Sequence, residues 1–246
     1  MTAAGALHFG RYAFPPNRLG YCGPEDSEEL LQRLADAATD RGLLELERRF
    51  EGAFPYLQLI ARANGITDPF DERVVSAYWL GNRLLQRVDP RPFHDSLRER
   101  FRGRMDARSF EWLTSGLHAG AVPHHNFHVF EVYRRAGLLN GDRAGPVLAV
   151  MDSCRISWGR VVEAESGRLL VARRPLVLRD GRLALGSPEI VGVERERGGI
   201  GYSVSVTVGD WVSIHWSWAC EELPAAALGW LRRMTADAIA RANRTL

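Results

Sequence analysis

Two stretches of the chain crowd together side chains that can do chemistry. In FPPNRLGYCGP, residues 14–24, Cys22 stands before a Gly-Pro pair. Redox thiols often sit in Cys-Gly-Pro-Cys, but here Glu25 follows Pro24, so the partner thiol is missing and dithiol exchange is not expected. The second stretch, HAGAVPHHNFHVFEVY, holds His118, His124, His125 and His128. Imidazoles of this kind, with Cys22 as a remote thiolate, would make a mixed nitrogen–sulfur set suited to zinc or iron. One of His124, His125 or His128 could instead serve as a base for a Cys22 nucleophile. The stretch lacks an HExxH pattern and a second ligand pair at fixed spacing. Histidines that cap, stack and hydrogen-bond within a helical interface are therefore the alternative reading.

These residues must be positioned by two kinds of segment. The leader, HFGRYAFPPNRLGYCGP, reads as an irregular docking segment stiffened by Pro15 and Pro16, with Phe14 and Tyr21 as anchors. Asp26 or Ser27 is placed to cap a helix carrying Leu30, Leu31 and Leu34, with Glu29 set for a reciprocal bond. A second helix is expected from about Leu43 to Ala63, bent at Pro55 and stopped by Asn64-Gly65. DPFDERVVSAYWLGNRLLQRV restarts with Asp68 as cap; PFHDSLRERF and SFEWLTSGL are shorter candidates, and FHVFEVYRRAGLL, with Asn126 as its cap, closes the run.

After Asn140-Gly141 the period changes. VLAVMDSC, RISWGRVVEAE, RLLVARR, PLVLRDG, EIVGVERE and SVSVTVGDWVSIHW read as short strands broken by Gly or Asp-Gly. PAAALGWLRRMTADAIARANR ends the chain as a helix with Pro224 in its first turn. The fold class is thus α+β: a mainly helical domain at 1–145, then a small β-barrel with a C-terminal helix at 146–246.

Composition narrows the function classes. Net charge is +2 with every basic residue an arginine, and Arg98, Arg100, Arg102 and Arg104 read as a solvated helical face, so no nucleic-acid partner is expected. The absence of lysine excludes Schiff-base chemistry and a phosphate-loop lysine. No apolar run suits a membrane span, and three scattered cysteines suit a reducing compartment, so a cytoplasmic protein is expected.

The most specific pattern lies in the last ninety or so residues. SCRISWGRVVE opens the β region, and VGDWVSIHWSWACEEL closes it, with Val208, Gly209, Asp210, Trp211, Val212, Ile214, His215 and Ala219 at the informative positions. This order resembles the HypC/HupF family of nickel–iron hydrogenase maturation chaperones. The resemblance implies an OB-like barrel and an iron centre, either an Fe(CN)2CO fragment or Fe(II). It implies a HypD-like maturation protein and the hydrogenase large-subunit precursor as partners. It places the family's metal-binding cysteine and histidine on Cys154 and His215. A thiolate and an imidazole can indeed hold Fe(II) when both binding atoms are deprotonated.

Strand parity puts Val212, Ile214, Trp216 and Trp218 on one face and Ser213, His215 and Ser217 on the other, so His215 falls on the polar face. Cys154 would share a face with Ile156 and Trp158, which leaves a buried, inert cysteine as its alternative; Cys220 reads as core. Three functions stay open: a carrier of an iron fragment through Cys154 and His215, a non-catalytic adaptor that keeps the fold without the iron, and a thiol enzyme using Cys22.

Overall fold

The computed structural model describes residues 3–132, 144–202, 205–244 and 246. The α+β order holds: helices come first, then a sheet-rich region, then a closing helix. The helical part comprises α1 (Ala3–Arg18), α2 (Ser27–Ala35), α3 (Arg41–Arg48), α4 (Phe54–Ala63), α5 (Glu72–Trp79), a 3-10 turn (Arg83–Arg87), α6 (Pro90–Phe101), α7 (Ala107–His118) and α8 (His125–Phe127). A π turn, His128–Val132, follows directly. Asp40, Asp71, Asp89 and Asp106 cap α3, α5, α6 and α7, each accepting a first-turn backbone N–H.

Four boundaries differ from the sequence reading. The segment 43–63 is two helices, because Pro55 suits the start of a new helix better than the middle of an old one. Asp68 makes a local turn by accepting from the Phe70 N–H at 3.0 Å, and Asp71 is the cap. Asp26 flanks α2 without a side-chain cap bond; it pairs with Arg49, and Glu29 pairs with Arg33. His124 rather than Asn126 caps α8, its Nδ1 accepting from the Asn126 N–H at 3.0 Å. The residues of FHVFEVYRRAGLL from 133 on lie outside the described residues.

The leader is the largest correction, for residues 8–18 of it belong to helix α1, and only 19–24 are irregular. Phe9, Tyr12 and Phe14 on it are fully buried, so tertiary packing outweighs the cost of Pro15 and Pro16. The stretch containing VLAVMDSC is likewise helical, as α9 (Ala144–Cys154), with Pro146 in its first turn. A short apolar run of this length reads equally as strand or buried helix, and here the helix wins. Asp152 near its end accepts from the Leu176 N–H and pairs with Arg155 and Arg173.

The sheet region holds β1 (Ser157–Ala164), β2 (Arg168–Arg173), β3 (Leu176–Arg179), β4 (Arg182–Leu185), β5 (Glu189–Glu194), β6 (Glu196–Arg197), β7 (Ile200–Gly201), β8 (Trp211–His215) and β9 (Trp218–Glu222). Pairing runs β1–β2–β5–β9–β8, and β8 pairs back onto β1, while β3–β4 and β6–β7 are separate two-stranded ribbons. The last helix, α10 (Ala225–Ala242), starts one residue after Pro224, which sits at its N-cap.

Val161, Leu169, Val171, Val193, Val212, Ile214 and Ala219 form an apolar cluster inside this circuit, with buried Ser157 beside Ile214. The outer face of β8 and β9 does not meet solvent. A second core runs from α1, α4 and α5 onto Trp218, Cys220 and Leu223, with Phe14 packed edge-on against Trp218 at 5.2 Å. Helices and sheet therefore share one core across the 145/146 boundary.

Candidate metal centre

The seam between the helices and β8 gathers the ligand-type side chains. Parity along β8 is as expected for Val212, Ser213, Ile214 and His215, but the polar face is covered by α1, so Ser213 and His215 are buried. The strand ends at His215. Trp216 (φ +48°) and Ser217 (φ +61°) form a two-residue left-handed turn into β9, and His215 pairs with Trp218. The expectation that Trp216 and Trp218 continue the Val212–Ile214 face is thus overturned by the hairpin. The Val208–Gly209–Asp210 part of the motif is a turn: Gly209 adopts φ +100° and Asp210 accepts from the Thr207 N–H and hydroxyl.

Beside His215 stand residues from two other segments. His125 reaches the seam from the start of α8, and Cys154 from the last residue of α9. Potential ligand atoms of His125, Cys154 and His215 all lie within 4.8 Å of one another, and all three residues are buried. His125 Nε2 is 2.8 Å from the Cys154 carbonyl oxygen and 3.9 Å from Cys154 Sγ. The two imidazoles meet edge to face with centroids 5.2 Å apart, and the Trp79 indole lies against both.

Two prolines set the orientation of His215. In an α-helix the N–H of residue i bonds the carbonyl of residue i−4. Pro15 and Pro16 have no N–H, which leaves the carbonyls of Arg11 and Tyr12 without helical donors. Both carbonyls are used. The Tyr202 hydroxyl donates to Arg11 O at 2.7 Å, and His215 Nδ1 donates to Tyr12 O at 2.7 Å. With its proton fixed on Nδ1, His215 leaves Nε2, a buried atom with no close hydrogen bond, beside the Cys154 backbone. Tyr12 is anchored in turn through its hydroxyl, which contacts Ser213 and donates to Glu221, a carboxylate also held by His8 at 2.9 Å.

Electrostatics favour neutral, ligand-ready imidazoles. Burial pushes His125 well below the ordinary range, with the neighbouring His215 adding to the effect. Burial also lowers His215 to about 4, against the opposing pull of the Tyr12 and Cys154 carbonyls. Neutral imidazole and thiolate sulfur are donors for iron, zinc and similar ions, so this set can hold a metal ion.

The two sites read from the sequence turn out to share one cavity. A void of about 50 Å³ is lined by Cys22, Tyr78, His125, His128, Cys154 and His215, among others. His125, assigned from the sequence to a group with Cys22, stands with Cys154 and His215 instead. Cys22 and His128 line the cavity without joining that group, and His124 is spent on capping α8. Cys154 is not in a strand beside Ile156 and Trp158; it ends a helix and points its backbone carbonyl at His125. Cys220 is fully buried core, as expected. Sequence reasoning missed Tyr12, Trp79 and Pro16, whose one available signal was a proline pair four residues after Arg11 and Tyr12 in an otherwise helical pattern.

No helix among the described residues is long and apolar enough to cross a membrane. No curated protein and no solved structure matches the chain. The profile of DUF6390, a family of unknown function, matches residues 1–246. With its whole length matched, the chain belongs to the DUF6390 family.

Proposed function

We propose that this protein is a metallocentre-assembly factor that holds an iron unit through His125, Cys154 and His215 and hands it to a recipient. The observation that carries the reading is the convergence of those three side chains, from three separate segments, in one buried pocket. Support also comes from the motif order around Cys154 and His215, which resembles the HypC/HupF pattern. The closed circuit of five strands is compatible with the OB-like barrel that the resemblance implies. On this reading the cargo is Fe(II) or an Fe(CN)2CO fragment, the donor is a HypD-like protein and the recipient is a hydrogenase large-subunit precursor. His125 is the addition that the geometry makes to the two-residue site.

The chain's own residues do three things. Cys154 supplies one anionic sulfur, His215 the Nε2 lone pair left by its Nδ1 bond to Tyr12 O, and His125 a nitrogen once it releases the Cys154 carbonyl. The mostly apolar cavity walls would strengthen charge interactions with the cargo. Hand-over is ligand exchange, with a recipient thiolate replacing Cys154. The thiol-enzyme reading has less support, because burial pushes the Cys22 thiol up to about 12 and so keeps it protonated at neutral pH.

Protein purified from cells expressing hydrogenase maturation genes should carry bound iron and show CO and CN infrared stretches that vanish in Cys154→Ala. No bound iron, or iron that survives Cys154→Ala, would remove the carrier role and leave the adaptor; bound iron without the stretches would make the cargo Fe(II).

A further inference from the structure

The inner group is reached through a mouth that holds a second thiol. Cys22 lies on the loop after α1 and is exposed as a residue, yet it lines the same cavity as His125, Cys154 and His215. The loop is held in place by Asn17, whose Nδ2 donates to the carbonyls of Cys22 at 2.8 Å and Pro24 at 2.5 Å. Its neighbour Tyr21 stacks on Trp216, with centroids 4.0 Å apart and planes 25° from parallel. Trp216 lines the cavity from the other side, on the left-handed turn that ends β8. Tyr78 lies near enough to feel charge on both Cys22 and Cys154. At the inner end, the buried His215 Nε2 has no close hydrogen bond and lies beside the Cys154 backbone. The cavity thus has a soft donor at its mouth and a buried nitrogen beside a second soft donor at its base.

We propose that Cys22 is a transit ligand, the first protein sulfur to bind a thiophilic divalent ion on its way to Cys154, His125 and His215. This rests on reading the inner three residues as a metal site. The walls between are mostly apolar, with Phe50, Ala53 and Trp79 among them. A hydrated ion crossing them without a protein ligand would lose water with nothing in exchange. A sulfur at the mouth replaces part of that hydration before the inner ligands complete it. The exchange balances without redox: the metal–sulfur bond to Cys22 breaks as the bond to Cys154 forms, and the Cys154 proton moves to the Cys22 sulfur or to solvent.

Cobalt(II) added to the full chain reports this directly, since cobalt–thiolate absorbance follows loading in stopped flow and occupancy at equilibrium. Cys22→Ser should load and release cobalt about tenfold more slowly than wild type. Its equilibrium Kd should stay within about twofold of wild type. Tyr21→Ala, which opens the mouth and keeps the sulfur, should load faster. Wild-type rates in Cys22→Ser overturn the transit role alone, as does a large loss of equilibrium affinity, which would make Cys22 a resident ligand. A wild-type chain that binds no cobalt overturns both this role and the reading of the inner site.

Discussion

The two faces of β8 are built from alternating residues of one short strand and do opposite work. Val212 and Ile214 point into the strand circuit, a mainly apolar interior where Ser157, opposite Ile214, is the polar exception. Ser213 and His215 point at α1, into a seam that also holds Tyr12, Glu221 and His8. The interior needs only volume, so it supplies stability and tolerates apolar exchange. The seam holds particular polar atoms at particular distances, at a cost in buried polar groups, and is where the proposed metal site lies. Both faces are buried, so burial alone does not separate stability from function here; what each face is buried against does.

The largest test of that division is Leu169→Ala, inside the circuit. It should cost about 3 kcal/mol in urea unfolding, with the cobalt affinity of the folded fraction unchanged. A lost metal site at full stability would break the comparison.

A second test concerns Glu47, which belongs to neither face. It is buried on α3 with its carboxylate against Gly10, and desolvation outweighs the pull of the Gly10 backbone to raise its pKa well above the ordinary glutamate value. A raised folded pKa means that the native state binds the extra proton. Stability is then greatest below the unfolded glutamate value and falls by about 1.4 kcal/mol per pH unit as pH rises toward the folded pKa. Glu47→Gln should remove that slope and be the more stable protein at neutral pH, as seen by comparing denaturation midpoints across pH. Parallel curves for the two proteins would show that Glu47 finds a partner in solution.

Pro16→Ala sharpens the seam side. An alanine N–H at that position competes for Tyr12 O, so His215 loses its fixed proton position while the helix gains a bond. Cobalt affinity should fall about tenfold, in the range of other ligand-orienting contacts, with no loss of thermal stability. The nitrogen shifts of His215 should show mixed tautomers, whereas Pro15→Ala, which touches Arg11 O and Tyr202, should leave them alone. The smallest effect is expected at Ser217→Gly. Relief of its left-handed backbone, less the entropy of a freer unfolded chain, should stabilise by about 0.5 kcal/mol.

These cases show which parts of the molecule could be read in advance. Helix and strand order followed from hydrophobic period, and the alternation of Ser213 and His215 against Val212 and Ile214 followed from strand geometry alone. What covered each face did not, because that depends on where α1 docks, and α1 itself was hidden by Pro15 and Pro16. VLAVMDSC failed for a different reason: a short apolar run has no period long enough to tell helix from buried strand. Cys154 and His215 were legible as a pair through their motifs, and His125 through the His-His-Asn stretch. Their meeting was not, since nothing local ties α8 to α9 and β8. The pairing of His125 with Cys22 was the nearest local guess, and the cavity that reaches both explains why it was half useful.

The separation of His125, Cys154 and His215 along the chain also bears on when a metal could be bound. A nascent or unfolded chain offers at most isolated histidines and cysteines, none of which is held near another. The site exists only after α1 has closed over β8 and both α8 and α9 have docked, contacts distant in sequence and slow to form. On the proposed reading, metal uptake would be a late event, coupled to completion of the fold. A bound ion would pull against unfolding in proportion to how far its concentration exceeds its Kd. Loaded and empty protein should therefore differ in lifetime as well as in occupancy, and on the proposed carrier reading delivery would return the protein to its less durable form.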